Sequence, residues 1–496
     1  MHALPIWHPV GVRSFLLPRT GGLRFATTTG YFLATLRCLP FGCLIVTITG
    51  VSSEQSVLIL GAGAAGLAAA RELAAAGLKV ILIEARDRVG GRVHTQHNSN
   101  LIPVELGAEF VHGQHPQLLQ IIENSGRPLC DVTHRHWYFE NGVVSDSHDF
   151  WNKLTALMDL MNPAQPDRSL QDFLDSLPND EATAKAKAVA TRYVEGFHAG
   201  RVTRIGVHGL IKANEAEDEI QGDSSFRVLG GYDIVTETLR AEAEAHRAVL
   251  HLNTIVKEIR WSRNQVEAVC IADKRLQKFA GTRAVITLPL GVLQAKHHQR
   301  GAVRFVPELP RQTQAAIDGI EMGQATRIIL QFRERFWEKL ELAGTECREK
   351  LSQLGFVHYP EAPFATWWTL LPVRAAVLVG WAGGPAAEKF VGRGKEYAVE
   401  QALSSLRQIL GVSEESLRNL LLTAHTHDWG ADPFSRGAYA YLPVNGLEAQ
   451  RTLARPLGDT IYFAGEAVSV GHIGTVHGAI ASGHQAAADI LRICRH

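Results

Sequence analysis

The chain has no C-x-x-C pair. Its six cysteines, Cys38, Cys43, Cys130, Cys270, Cys347 and Cys494, are dispersed. A zinc site or a disulfide framework is therefore unsupported, and a reducing, cytoplasmic compartment is the expectation. No apolar run reaches the roughly 18 residues of an ordinary transmembrane helix. Net charge is also missing: 50 Lys and Arg balance 50 Asp and Glu. That excludes whole-chain steering towards nucleic acid or anionic membranes, and no nucleic-acid partner is expected. Residues 1–53 lack Asp, Glu and Lys but carry Arg13, Arg19, Arg24 and Arg37. An organelle-targeting peptide has that character. The plainer reading, which takes precedence, is an unstructured extension or an upstream start codon. A secretory signal is not expected, because the apolar stretch from Cys38 to Ile48 lies late and is broken by Pro40 and Gly42.

What the chain does have is 496 residues, 46% hydrophobic and 20% charged. That suffices for two or three domains with ample core. Its 45 glycines suit a nucleotide-binding α/β protein with many tight turns.

Residues 57–84 carry the clearest pattern. A buried strand, Val57 to Leu60, runs into Gly61-Ala-Gly63-Ala-Ala65-Gly66. A helix is expected from about Ala64 to Ala76, with Gly77 stopping it, and a second apolar strand from Val80 to Ile83 ends in Glu84. This is a complete βαβ half-unit for a dinucleotide. Gly61 permits the tight turn, Gly63 lets a pyrophosphate approach the backbone, and Gly66 lets the helix pack closely. The helix N-terminus offers free N–H groups to the phosphates. Glu84 is placed to accept hydrogen bonds from a ribose diol.

The continuation, Ala85-Arg86-Asp-Arg88-Val-Gly90-Gly91-Arg92, resembles the extended fingerprint of the flavin-containing amine oxidase superfamily. Further segments carry the same resemblance. Gly107-Ala108-Glu109-Phe-Val-His112-Gly113 is similar to the turn that the family sets against the flavin. Arg227-Val-Leu-Gly-Gly231 and Thr287-Leu-Pro289-Leu-Gly291 resemble its Gly-Gly and Pro-Leu-Gly elements. Trp429-Gly-Ala-Asp432-Pro433 through Gly437-Ala438-Tyr439-Ala-Tyr441 resembles a block of the polyamine oxidase and lysine-demethylase-like branch. Ala464-Gly465-Glu466 and Gly474-Thr475-Val476 complete the set.

The resemblance implies FAD, bound non-covalently, since Ala438 stands where monoamine oxidases have the cysteine that bonds the flavin. It implies a cofactor set of Gly61, Gly63, Ala65, Gly66, Glu84, Ala85, Arg86, Gly91, Arg92, Gly107, Ala108, Glu109, Val256, Trp429, Gly465, Glu466, Gly474, Thr475 and Val476. Val256 would hold the adenine, and the helix opening at Thr475 would face flavin N1 and C2=O. His112, Tyr439 and Trp429 would shape the place where the amine meets the flavin. Arg327 departs from the pattern, standing where the family has a lysine that holds a water against flavin N5. A guanidinium cannot shed its proton as a buried ammonium can.

The implied fold is a two-lobed α/β flavoprotein with a Rossmann-like FAD lobe of the GR2 type. Residues 55–115, 225–300 and 424–494 would form the FAD domain, 116–224 and 301–423 a mixed-sheet-plus-helices substrate domain, and 1–54 an N-terminal extension. Residues 114–205 look largely helical. The acids Glu215, Glu217, Asp218 and Glu219 suggest a polycationic substrate. The implied reaction is amine oxidation: hydride transfer to flavin N5, imine hydrolysis, and reoxidation by O₂ giving H₂O₂. Two alternatives stay open. One is an L-amino acid oxidase or other flavin dehydrogenase on the same scaffold. The other is an FAD-binding protein with little turnover, motivated by Arg327. The oligomeric state is not read from the sequence.

Overall fold

The computed structural model describes residues 24–27, 30–38, 44–48 and then 55–494, apart from 98–101, 133–134, 141–142, 147 and 341–350. The chain divides into two compact units, Met1–Gln55 and Ser56–His496. In the first, Arg24–Thr27, Gly30–Cys38 and Leu44–Ile48 form a three-stranded antiparallel sheet. The rest of the expected N-terminal extension lies outside the described residues, as does Cys347.

Among the described residues the second unit holds six sheets, and the two largest frame the site. The first has five parallel strands in the order Val249–His251, Lys79–Ile83, Ser56–Leu60, Arg283–Ile286, Ile461–Phe463. Both faces of its central strand are covered, as parallel sheets require. Val57 and Ile59 point into a core shared with the helices Ala64–Ala75, Ile234–Ala245 and Val476–Cys494. Leu58 and Leu60 point the other way, onto Val256, Ile259 and Ala268 of the antiparallel strands Thr254–Ser262 and Gln265–Ala272. The helix Ala64–Ala75 sits close on the sheet because its inner face is small. A Cβ on Gly66 would stand 2.0 Å from the carbonyl oxygen of Gly61 and 2.9 Å from Thr287 Oγ1. Gly77, at φ +86°, turns the chain out of that helix.

The second sheet is mixed and has seven strands. Their order is Val143–Asp146, His136–Glu140, Phe356–His358, Thr366–Trp368, Val377–Gly383, Ala325–Phe332, Leu421–Thr426. Only His136–Glu140 and Phe356–His358 run parallel to each other among these pairings. Residues 114–205 are thus less helical than expected, since His136–Glu140 and Val143–Asp146 are strands of this sheet. The aromatic run His-Trp-Tyr-Phe-Glu and the β-branched pair Val143-Val144 are the local reason. The helices Leu170–Asp175, Glu181–Phe197 and Val207–Glu219 do form in the same excursion and share a separate apolar core.

Period-two alternation decides what Ala325–Phe332 offers to each side. Ile328 and Leu330 pack with Trp337, Leu403 and Leu406. Ile329 faces the opposite way, towards Val104, Leu106 and Trp368, and Arg327 shares its face. A short antiparallel sheet completes the frame. Ser225–Val228 pairs with Phe110–His112 and with Leu129–Asp131, which sets Ser225 opposite His112 and Arg227 opposite Phe110.

Candidate active site

The carboxyl ends of the parallel strands open onto a cavity of about 820 Å³ that continues along the mixed sheet. Every residue of the expected cofactor set lines it except Gly66, and His112, Arg327 and Tyr439 line it too. Gly66 instead takes the close helix–sheet contact described above.

At the fingerprint end, Gly61 has φ +108° and donates its N–H to Ile83 O at 2.8 Å. The position of a Cβ on Gly63 has nothing within 4 Å, so this backbone is open to a ligand. The Glu84 carboxylate accepts from the N–H of Ala62 at 2.8 Å and of Arg86 at 2.9 Å. Burial raises its pKa above the ordinary carboxylate value, against those two hydrogen bonds. Each oxygen keeps acceptor capacity beyond its one N–H.

Arg86 does not reach out as a free cation. Its guanidinium donates to both oxygens of Asp432, at 2.9 and 3.1 Å, and to Ser435 Oγ at 2.9 Å. Burial raises the Asp432 pKa, but hydrogen bonds from His427 and Arg86 outweigh it and hold the carboxyl well below its usual range. Arg92 donates to Ala438 O and to Glu466 Oε1, each at 2.8 Å. The other Glu466 oxygen accepts from the N–H of Ala440 and of Gly474, each at 3.1 Å. One acid thus ties the fingerprint loop, the Tyr439 strand and the last helix's entrance together. Thr475 caps that helix, accepting from Gly478 N–H at 3.0 Å and donating to His472 O at 2.7 Å.

At the far end, Arg327 is fully enclosed. It donates to the carbonyl oxygens of Gly107 at 2.6 Å and Glu105 at 3.1 Å. It lies 3.3 Å from Glu109 and over the rings of Trp368 and Trp381, at 5.4 and 5.6 Å. Its Nε is buried without a protein partner. Burial lowers the guanidinium's pKa and Glu109 opposes the shift, yet an arginine stays charged.

Glu109 was expected in the cofactor set. It is the shared counterion of Arg327 and Arg227, with Arg227 Nη2 at 2.6 Å and Trp368 Nε1 at 3.4 Å. Burial raises its pKa, but the two arginines prevail and hold it below the usual range. In the sequence, Arg227 and Asp432 stand out only as parts of motifs. Their partners lie 118 and 346 residues away, so spacing gave no signal.

His112 meets Ser225 Oγ at 3.2 Å, and burial pushes its imidazole down to about 4. Tyr439 donates its hydroxyl to Phe197 O at 2.7 Å, and Trp429 donates Nε1 to Leu106 O at 2.9 Å. His472 lines the cavity beside His477, with ring centroids 4.9 Å apart, and His115 stacks on His477 at 5.1 Å. Of the acid run, Glu217 and Asp218 line the cavity, whereas Glu215 pairs with Lys212. Burial and the neighbouring Asp218 raise Glu217 to about 7.

These residues fit FAD. A glycine backbone is open at Gly63, and Gly465, at φ +145°, has nothing within 4 Å of its Cβ position. A capped helix N-terminus lines the cavity, and the unpartnered Arg327 Nε can donate to a flavin acceptor or a water.

A sequence model of the family described as flavin containing amine oxidoreductase matches residues 64–491. The chain is 29% identical over 476 residues to polyamine oxidase 5 of Oryza sativa subsp. japonica, covering 89% of this chain and 88% of that protein. It is 28% identical over 468 residues to lysine-specific histone demethylase 1 homolog 2 of Arabidopsis thaliana, covering 90% of this chain but only 59% of the relative. Among solved structures, putrescine oxidase bound to putrescine superposes with a TM-score of 0.73 at 20% identity, over 88% of this chain and 99% of that one. Cyclohexylamine oxidase from Brevibacterium oxydans gives 0.72 at 19% identity, over 89% and 100%.

Proposed function

The chain belongs to the flavin-containing amine oxidoreductase family, and from that premise we propose that it oxidises a C–N bond of a polyamine, with FAD held non-covalently and O₂ as electron acceptor. The observation that carries the polyamine reading is the acidic wall of the substrate-side cavity. Glu195, Glu217, Asp218 and Asp223 line it, against Arg192. A cationic chain would restore the charged form of Glu217, which burial disfavours. Polyamine oxidase 5, aligned over nearly all of its own length, points the same way.

Bound FAD supplies the hydride acceptor and is reoxidised afterwards. The protein's part is to bind, neutralise and orient the amine. Burial beside the fixed positive charge of Arg327 disfavours the ammonium form, so the amine reacts with its lone pair free. His112, neutral because burial keeps it at about 4, accepts a hydrogen bond from the amine without repelling it. Tyr439 and Trp429, each tied to a backbone carbonyl, are fixed walls of the slot. Arg327 cannot serve as a base. Its fixed positive charge would favour electron density arriving at the flavin. The division into an FAD domain (55–115, 225–300, 424–494) and a substrate domain (116–224, 301–423) belongs to the same reading. So does a cytoplasmic location. No helix among the described residues is long and apolar enough to cross a membrane.

Anaerobic mixing of the yellow holoenzyme with amines and amino acids tests the function. Bleaching by spermine or spermidine is the expected result. Bleaching by amino acids alone would replace it with an amino acid oxidase. No bleaching by any of them would leave an FAD-binding protein without turnover.

A further inference from the structure

We propose that the carboxyl end of the helix Glu181–Phe197 is a positioning element of the reaction slot. It takes the phenol hydrogen of Tyr439, which leaves the phenol oxygen to accept an N–H of the substrate as positive charge develops there. The helix has 17 residues, and carbonyls of its last turn are spent on the slot's own walls. Phe197 O accepts the Tyr439 hydroxyl at 2.7 Å, and Gly196 O accepts Trp381 Nε1 at 2.8 Å. Tyr439 and Phe197 both line the cavity, and the bond between them is not buried. A phenol has a single hydrogen to donate. With that hydrogen on Phe197 O, its oxygen offers the cavity only lone pairs.

Glycine permits this contact. A Cβ on Gly383, two residues beyond Trp381 on its strand, would stand 2.3 Å from Gly196 O. A Cβ on Gly323, the direct strand partner of Tyr439, would stand 2.7 Å from Ala199 O just past the helix. A side chain at either position would hold the helix end off the strands that carry Tyr439 and Trp381.

The placement matters because of where charge goes. As the substrate's C–H bond breaks, its electron pair leaves with the hydride for flavin N5. The nitrogen lone pair then closes a C=N bond, and the C–N unit becomes cationic. A hydrogen bond from that unit to the phenol oxygen is stronger with the charge than without it. It therefore lowers the barrier rather than only tightening binding. The helix adds the negative end of its dipole, about half an elementary charge, to the same wall. Trp381 joins this end to the opposite sign. Its indole donates to Gly196 O, while its ring lies 5.6 Å from the Arg327 guanidinium. Tyr439 is then a catalytic residue, and Phe197, through its carbonyl, a positioning residue. This deepens the amine-oxidation reading and rests on it.

The probe is pentanamidine, a planar C–N cation with no hydrogen on its amidine carbon, and neutral pentanamide of similar shape is its control. Both are titrated into the holoenzyme by calorimetry. We expect Tyr439→Phe to weaken pentanamidine binding about 10- to 100-fold, as loss of a charge-assisted hydrogen bond requires, and pentanamide binding by no more than about 3-fold. Anaerobic bleaching by spermidine in the stopped flow should slow by a similar factor, with the spermidine dissociation constant kept within about 3-fold. Gly383→Ala keeps the phenol but displaces the helix end, and should lose the same preference for the cation. Equal loss of both probes in Tyr439→Phe, an unchanged affinity for pentanamidine, or no binding of it to wild type would overturn the role of the phenol. A wild-type preference retained in folded Gly383→Ala would overturn the role of the helix. Amine bleaching of the wild type is measured alongside. Bleaching with charge-blind probe binding sinks the proposal and leaves amine oxidation. A Tyr439-dependent preference for the amidinium without bleaching by any amine sinks amine oxidation and leaves a site for planar C–N cations.

Discussion

Arg327 concentrates the chemistry that one residue can decide. Its Nη1 is spent on two backbone carbonyls and its charge on Glu109, which leaves a buried Nε without a partner. A lysine in its place would keep the positive charge near Glu109 and gain an ammonium able to release a proton when buried. We therefore expect Arg327→Lys to speed reoxidation of the reduced enzyme by O₂, on the order of tenfold, within the range that proton transfer contributes. FAD content should not change, because the fingerprint contacts are elsewhere. Stopped-flow mixing of reduced enzyme with O₂ measures it, and an unchanged or slower oxidative half-reaction would refute it. The lysine-to-arginine departure was legible in the sequence. Its consequence was not, because Glu109 comes from a distant loop and the rings of Trp368 and Trp381 come from two other strands.

At the scale of the element, the strand–helix unit from Ser56 to Glu84 separates two uses of glycine. Gly66 packs the helix on the sheet, and a methyl there would strike Gly61 O. Gly63 faces open space. Gly66→Ala should cost about 1–3 kcal/mol of stability even after flavin is stripped. Gly63→Val should leave the stripped protein within about 1 kcal/mol of wild type. It should nevertheless weaken FAD binding on the order of tenfold or more. Thermal unfolding of stripped protein and FAD titration separate the two. Equal loss of apoprotein stability in both variants would remove the distinction. This unit was readable because all its parts are contiguous, and the strand and helix periods are local. The strand His136–Glu140 was missed for the converse reason. Its pairing with Phe356–His358 is made across 220 residues, and its aromatic run has no clear alternation.

For the whole molecule, the cavity runs from the parallel sheet to the mixed sheet, so a ligand lying along it would touch both sheets. Glu466 links three chain segments at once through Arg92, Ala440 and Gly474. A ligand that binds only the folded state adds about 2.7 kcal/mol at one hundred times its dissociation constant. Flavin-stripped protein should accordingly melt several degrees below the holoenzyme and recover as FAD is added back, with the midpoint rising with the logarithm of FAD concentration. A midpoint indifferent to FAD would contradict the fold's dependence on it.

The sequence by itself determined the dinucleotide unit, the family resemblance and most of the residues that line one end of the cavity. Those signals are short motifs whose geometry is dictated by neighbours along the chain. Tertiary structure alone decided that Asp432 holds Arg86 and that Glu109 serves two arginines. Side chains more than a hundred residues apart carry no mutual periodicity. Charge pairing and ring packing become specific only when the sheets bring those residues within a few ångströms.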